Sequence, residues 1–173
     1  MGTINTENII LNKAKISKES YLDLEFSETI HVKGEDDKTD TITRDVMIKS
    51  NQLVHPDLID AFNGLIWFMV DICELPNVKK DKDGSWGPYK VTGFVISGMD
   101  DQEGVVLIGQ KKLAGNRVLN IITPFVKFEN ENEPYSNGLK LRHAIDTATD
   151  EVLAFINGKS TITQLELELD LDN

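Results

Sequence analysis

Tyr21-Leu22-Asp23-Leu24-Glu25-Phe26 alternates without a break, placing Leu22, Leu24 and Phe26 on one side of the chain and Asp23 and Glu25 on the other. Successive side chains of a strand point to opposite faces, so the pattern predicts a strand with one buried and one wet face. Its neighbours extend the reading. Ile9 to Ile16 ends in the same alternation, and Lys18-Glu19-Ser20 reads as a turn. A polar run, Gly34-Glu35-Asp36-Asp37-Lys38, reads as a loop before a third strand over Thr41 to Lys49, which is rich in β-branched residues.

The period then changes from two to about 3.6. Pro56 suits a first helical position, and Asp57 and Asp60 suit the positive end of a helix dipole. Leu58, Ile59, Phe62, Leu65, Ile66, Met69, Val70 and Cys73 form one broad apolar face, widened by Trp67 and Phe68. A single buried helix running to Cys73 and stopped by Pro76 is predicted. Three further strands follow, at Tyr89 to Ser97, Gly104 to Lys111 and Arg117 to Phe125, joined by Gly98-Met99-Asp100-Asp101 and Ala114-Gly115-Asn116. After the polar stretch Glu129 to Asn137, an amphipathic helix spans Leu139 to Asn157 on the stripe Leu141, Ile145, Ala148, Val152, Phe155 and Ile156. Gly158 suits the position just past its end. Thr161 to Asn173 is strand-like.

The order βββαβββαβ defines an α+β, antiparallel, β-rich domain of six to seven strands, with a buried central helix and a C-terminal amphipathic helix. The first six elements follow the strand–helix order of an OB-type barrel, so a closed OB-like sheet is one form this order admits. With 173 residues there is room for one domain, placed at 1–160, with 161–173 as an acidic, alternating C-terminal strand or tail.

The formal charge is −11, which excludes a protein that coats duplex DNA over its whole surface. The charge is unevenly spread: residues 1–40 carry −4, residues 41–128 are neutral and residues 129–173 carry −7. Between Lys79 and Lys127 stand eight cations and five acids. There Lys79, Lys80, Lys82 and Lys90 surround Trp86 and Tyr89, and Lys111, Lys112 and Arg117 follow. Single-stranded nucleic acid needs rings on which bases stack and cations that neutralise phosphates, and these nine residues are the candidate contact surface. A solvated loop with Trp86 folded onto the core is the structural counterpart of that reading.

The other chemistry-bearing residues form no site. Asp81-Lys82-Asp83-Gly84 fails as a calcium loop, because Lys79 and Lys90 would stand where oxygen donors are required. Asp71 and Glu74 share a helix face without a nucleophile or metal partner, and Asp100, Asp101 and Glu103 read as turn residues. Gly98, Gly104, Gly109 and Gly115 match neither a dinucleotide fingerprint nor a Walker loop. His31, His55 and His143 are dispersed, with His55 reading as helix entry, and Cys73 reads as an inert buried thiol. No catalytic residue, metal site or cofactor is expected. Gly2 with Thr6 matches a myristoylation pattern but lacks the second signal that stable anchoring needs. With no secretory leader pattern and no long apolar run, no membrane association and an intracellular, cytoplasmic location are expected.

Gln164-Leu165-Glu166-Leu167-Glu168-Leu169-Asp170-Leu171-Asp172 puts four leucines on one face and four acids on the other. Glu166, Glu168, Asp170 and Asp172 are the candidate residues for a basic partner, either a separate protein or the chain's own cationic segment. In charge the tail resembles the acidic C-terminal tails of single-strand binding proteins of bacteria and phages, without their terminal aromatic residue. A docked strand with its leucines on the domain is the other reading of the same pattern. The functional expectation is a non-enzymatic single-stranded nucleic-acid binder. The second reading is an acidic interaction module, or nucleic-acid mimic, acting on a basic partner. An enzyme ranks third, without a site.

Overall fold

The computed structural model describes residues 8–18, 20–33, 39–76, 86–129 and 135–160. Seven strands, β1 (Ile9–Ser17), β2 (Tyr21–Lys33), β3 (Thr39–Leu53), β4 (Tyr89–Ser97), β5 (Gly104–Lys112), β6 (Val118–Ile122) and β7 (Val126–Lys127), form one sheet. Its order is β3-β2-β1-β4-β5-β6, with β7 also paired to β5, and every pairing is antiparallel. The helices are α1 (Pro56–Asn63), α2 (Ile66–Ile72) and α3 (Gly138–Ile156). The α+β class with an antiparallel sheet is as the sequence predicts. The sheet is open: among the described residues, β3 pairs with β2 alone, so no barrel closes.

Strand β2 behaves as its alternation dictates, with Leu22, Leu24 and Phe26 all buried. In β1 the register slips by one residue between Leu11 and Lys13. That bulge lets Leu11, opposite Phe26, share a face with Ala14 and Ile16, opposite Leu24 and Leu22. Beyond Glu28, β2 and β3 continue as a two-stranded ribbon without β1, which explains why the exposed early part of β3 shows no apolar period.

The helices cover one face of the sheet. The single helix expected over 56–73 is two: after Asn63 the chain tightens into a turn in which the Leu65 N–H donates to the Phe62 carbonyl (3.1 Å). Gly64 sits in this turn, where a Cβ would lie 3.2 Å from the Ala61 carbonyl oxygen. His55 does cap α1, its Nδ1 accepting from the Asp57 N–H (3.2 Å), with Pro56 next to it in the first turn. The expected strand over 117–125 is also split. β6 ends at Ile122, and Pro124, which has no N–H to donate, separates it from β7. Thr123 Oγ1 bridges the break by accepting from the Leu107 N–H (2.9 Å).

Helix α3 ends as Gly158 leads one to expect. The Gly158 N–H donates to Phe155 and the Lys159 N–H to Ala154, with Gly158 at φ 102°. Lys159 Nζ then binds both Asp57 Oδ2 and Glu151 Oε2 at 2.7 Å, tying the exit of α3 to the start of α1. The hydrogen bond from Lys159 holds the Asp57 carboxyl below its usual range, and bonding to Asp57 and then Glu151 raises Lys159. A depressed carboxyl contributes stability above its unfolded pKa and loses it as pH falls; a raised ammonium contributes below its own and loses it as pH rises. Lys159→Met should therefore lower the urea midpoint by a constant amount around neutrality. That difference should shrink below about pH 4. An undiminished difference at pH 3 would contradict the pairing.

Candidate nucleic-acid interface

The antiparallel registers bring the start of β4, the end of β5 and the start of β6 to one corner of the sheet. Tyr89 lies opposite Lys111, Lys90 opposite Gln110, and Lys112 opposite Val118. The Lys112 N–H donates to the Pro88 carbonyl (2.8 Å), which closes the corner around Gly87-Pro88. The connection from β5 to β6 is a short 3₁₀ turn at Ala114–Asn116, with Gly115 and Asn116 both at positive φ (71° and 59°). Arg117 steadies that turn, its Nε donating to the Ala114 carbonyl (3.2 Å).

The result is a shallow groove of about 430 Å³, whose lining includes Tyr89, Lys90, Gln110, Lys112, Asn116 and Val118. Lys90 and Lys112 share a sheet face because both are in phase with Gln110, and Lys111 falls on the other face. Among the described residues, none of Lys90, Lys111, Lys112 and Arg117 is ion-paired. Lys13, Arg44 and Arg142 are paired with Glu25, Glu28 and Glu103. From Trp86 to Phe128 the only acids are Asp100, Asp101 and Glu103. They lie at the β4–β5 turn, at the opposite end of these strands and roughly 25–30 Å from the cations at 3.3 Å per residue. Between Trp86 and Phe128 the cations thus gather at this corner and the acids at the far turn.

Six of the nine candidate contact residues converge here: Trp86, Tyr89, Lys90, Lys111, Lys112 and Arg117. Lys79, Lys80 and Lys82 lie outside the described residues, as do Glu166, Glu168, Asp170 and Asp172 of the C-terminal segment. The two aromatics are not open rings. Tyr89 is 6% exposed, because it is in phase with buried Val91 on the inward face of β4, and Lys111 Nζ stands 5.3 Å from its ring centroid. Trp86 is half-buried against the core. The inward phase of Tyr89 was readable from Val91 two residues on. Gln110, Asn116 and Val118 were not singled out, because their place in the groove depends on strand register and not on local charge.

The remaining candidates take structural roles. Asp71 is exposed and accepts from Tyr135 Oη (2.5 Å) and Asn137 Nδ2 (3.4 Å). Burial, reinforced by that carboxylate, pushes the Tyr135 hydroxyl far above its ordinary range. Glu103 pairs with Arg142, and burial raises the half-buried Cys73 thiol. Among the described residues, no group of three or more His, Cys, Asp or Glu side chains could hold a metal ion, and no helix is long and apolar enough to cross a membrane. The chain matches no family model, no curated protein and no solved structure.

Proposed function

We propose that this chain is a non-enzymatic binding protein whose ligand is single-stranded nucleic acid, held at the corner formed by Lys90, Lys111, Lys112 and Arg117. The convergence of Lys90 of β4, Lys111 and Lys112 of β5 and Arg117 just before β6, none of them ion-paired among the described residues, carries this reading. Phosphates supply the missing counter-charge, and release of their condensed counter-ions supplies the affinity. With Tyr89 buried, stacking falls to the open part of Trp86, so phosphate contacts dominate and little sequence preference is expected. The strand–helix order shared with OB-type barrels, whose sheets are partly open, supports the same reading by analogy.

Fluorescence anisotropy with a labelled oligo-dT tests it. Four phosphate contacts predict a slope of log K against log salt near −3, at about −0.7 per contact on a single strand. Replacing Lys90, Lys111, Lys112 and Arg117 by Ala should remove most of that slope, and Trp86 emission should change on binding. An absence of binding at 50 mM salt would overturn the proposal. Binding unchanged in the quadruple variant would overturn the placement.

A further inference from the structure

The two outermost strands of the sheet are built differently. β3 carries Asp40, Arg44, Asp45 and Lys49, and charged side chains are one of the usual guards of a sheet edge. β6, at the other end of the order, reads Val118-Leu119-Asn120-Ile121-Ile122, without a charge or a proline, and its register with β5 has no bulge. Val118 (53%), Leu119 (50%) and Ile122 (69%) are nonetheless exposed. An uncharged apolar edge open to water is a template for pairing with another chain.

The backbone defines which groups that edge offers. The Arg117 carbonyl accepts from the Leu113 N–H (2.8 Å), and the Thr123 N–H donates to the Leu107 carbonyl (3.0 Å). Both flanks of β6 thus bond inward to β5, and the register over Val118–Ile122 is continuous with them. Bonding residues alternate in an antiparallel ladder, so Leu119 and Ile121 also bond inward. Val118, Asn120 and Ile122 therefore turn their N–H and C=O groups outward. Among the described residues, no strand pairs along that side.

We propose that a second copy of this chain pairs there, β6 against β6, antiparallel about a two-fold axis at Asn120. The three outward residues are symmetric about Asn120, so the axis sets Asn120 opposite its own copy and Val118 opposite Ile122 on either side. Each pair of this kind exchanges two N–H···O bonds, about six in all. A slip of one residue would set outward groups against inward ones, and a slip of two would lose one of the three pairs. Side chains agree with the backbone. On the helix-free side Val118 meets Ile122 twice, and on the other side Leu119 meets Ile121 twice; Ile121 lies opposite Gly109, which faces Met69 of α2. Charge raises no conflict, because Arg117 falls opposite uncharged Thr123. The self-complementary contact closes as a dimer and leaves only the charged β3 edges open. A ladder this short buries less than a standard interface, so the dimer is reversible, with a Kd on the order of 10–100 µM. The pairing does not depend on whether the basic corner binds nucleic acid.

Sedimentation equilibrium of the unaltered chain, without nucleic acid, should show the mass rising from monomer towards dimer between about 1 and 500 µM. Asn120→Pro removes an outward N–H that β5 does not use, a position where an edge strand tolerates proline. That variant should stay monomeric over the same range. A monomer throughout for the unaltered chain, or undiminished association in folded Asn120→Pro, would overturn the proposal. Disulfide trapping in a Cys73→Ala background is independent of the proline. Asn120→Cys sets two thiols on a directly opposed pair, about 5.5 Å apart at Cα and within disulfide reach. Ile122→Cys sets them four residues apart along the ladder, roughly 13 Å and beyond reach. Asn120→Cys should therefore form the covalent dimer at least about tenfold faster. Equal rates, or no crosslink at Asn120→Cys, would overturn the two-fold register and the proposal with it.

Discussion

Phe94→Ala is expected to lower the free energy of unfolding by about 3–5 kcal/mol, against about 5–15 kcal/mol for a whole domain. Phe94 is fully buried at the middle of β4, between Ala14 of β1 and Leu107 of β5. Its ring lies 5.5 Å from that of Phe62 on α1, with the planes tilted by 55°. The contact is where the helix layer rests on the centre of the sheet. Truncation removes the transfer free energy of the ring, leaves a cavity that the flanking strands cannot close, and removes the ring pair, worth about 0.5–1.5 kcal/mol on its own. Urea unfolding followed by tryptophan fluorescence and circular dichroism should show a lower midpoint with an unchanged slope. Val118→Ala, on the exposed edge strand β6, is the control and should stay within about 0.5 kcal/mol. A loss below about 1 kcal/mol for Phe94→Ala would mean that α1 does not pack on β4 as described.

Legibility in the sequence follows one physical rule: a pattern shows where one face is buried and the backbone is regular. β2 between Tyr21 and Phe26 satisfies both conditions, and so does α3 from Leu141 to Phe155; each was readable to within a residue or so at its regular end. The far half of the β2–β3 ribbon is largely exposed, so His31, Val32, Thr41 and Ile42 carry no period, and both strands run further than their patterns suggest. The break between α1 and α2 was hidden because Leu65 and Ile66 are as buried as the helical residues beside them. Only Gly64 marked it. The pairing of β1 with β4 joins segments about 80 residues apart, through Lys13 opposite Val95, and no local signal encodes it. The basic corner lies between these cases. Its cations were visible as charge, but their convergence required the β4–β5 and β5–β6 registers. Tyr89 was misjudged because cations on either side suggested water, when the inward phase of the strand decides its burial.

Gly109→Ala should cost about 3 kcal/mol, the upper end of the usual range for overpacking. Gly109 is buried on β5 opposite Val91, just where the register of β4 shifts between Val91 and Gly93. A methyl group there would stand 2.3 Å from Met69 Sδ and 2.6 Å from the Lys90 carbonyl oxygen. The two clashes differ in kind. Met69 is a flexible side chain on α2 and can swing away, whereas the Lys90 carbonyl belongs to the neighbouring strand and moves only if the β4–β5 ladder moves. Met69→Ala removes the first clash and leaves the second. The double variant should therefore lose less than the sum of its single losses, by about 1 kcal/mol, yet should not recover to Met69→Ala alone. Strict additivity would mean that α2 does not sit on β5 at this point. Full rescue of the Gly109→Ala loss would mean that the Lys90 carbonyl gives way freely. Lys111 and Lys112 follow Gly109 on the same strand, so the ladder shift that admits the methyl also displaces them from Lys90. Oligo-dT affinity should then fall in Gly109→Ala even where the protein remains folded, and unchanged affinity would separate the corner from the ladder that positions it.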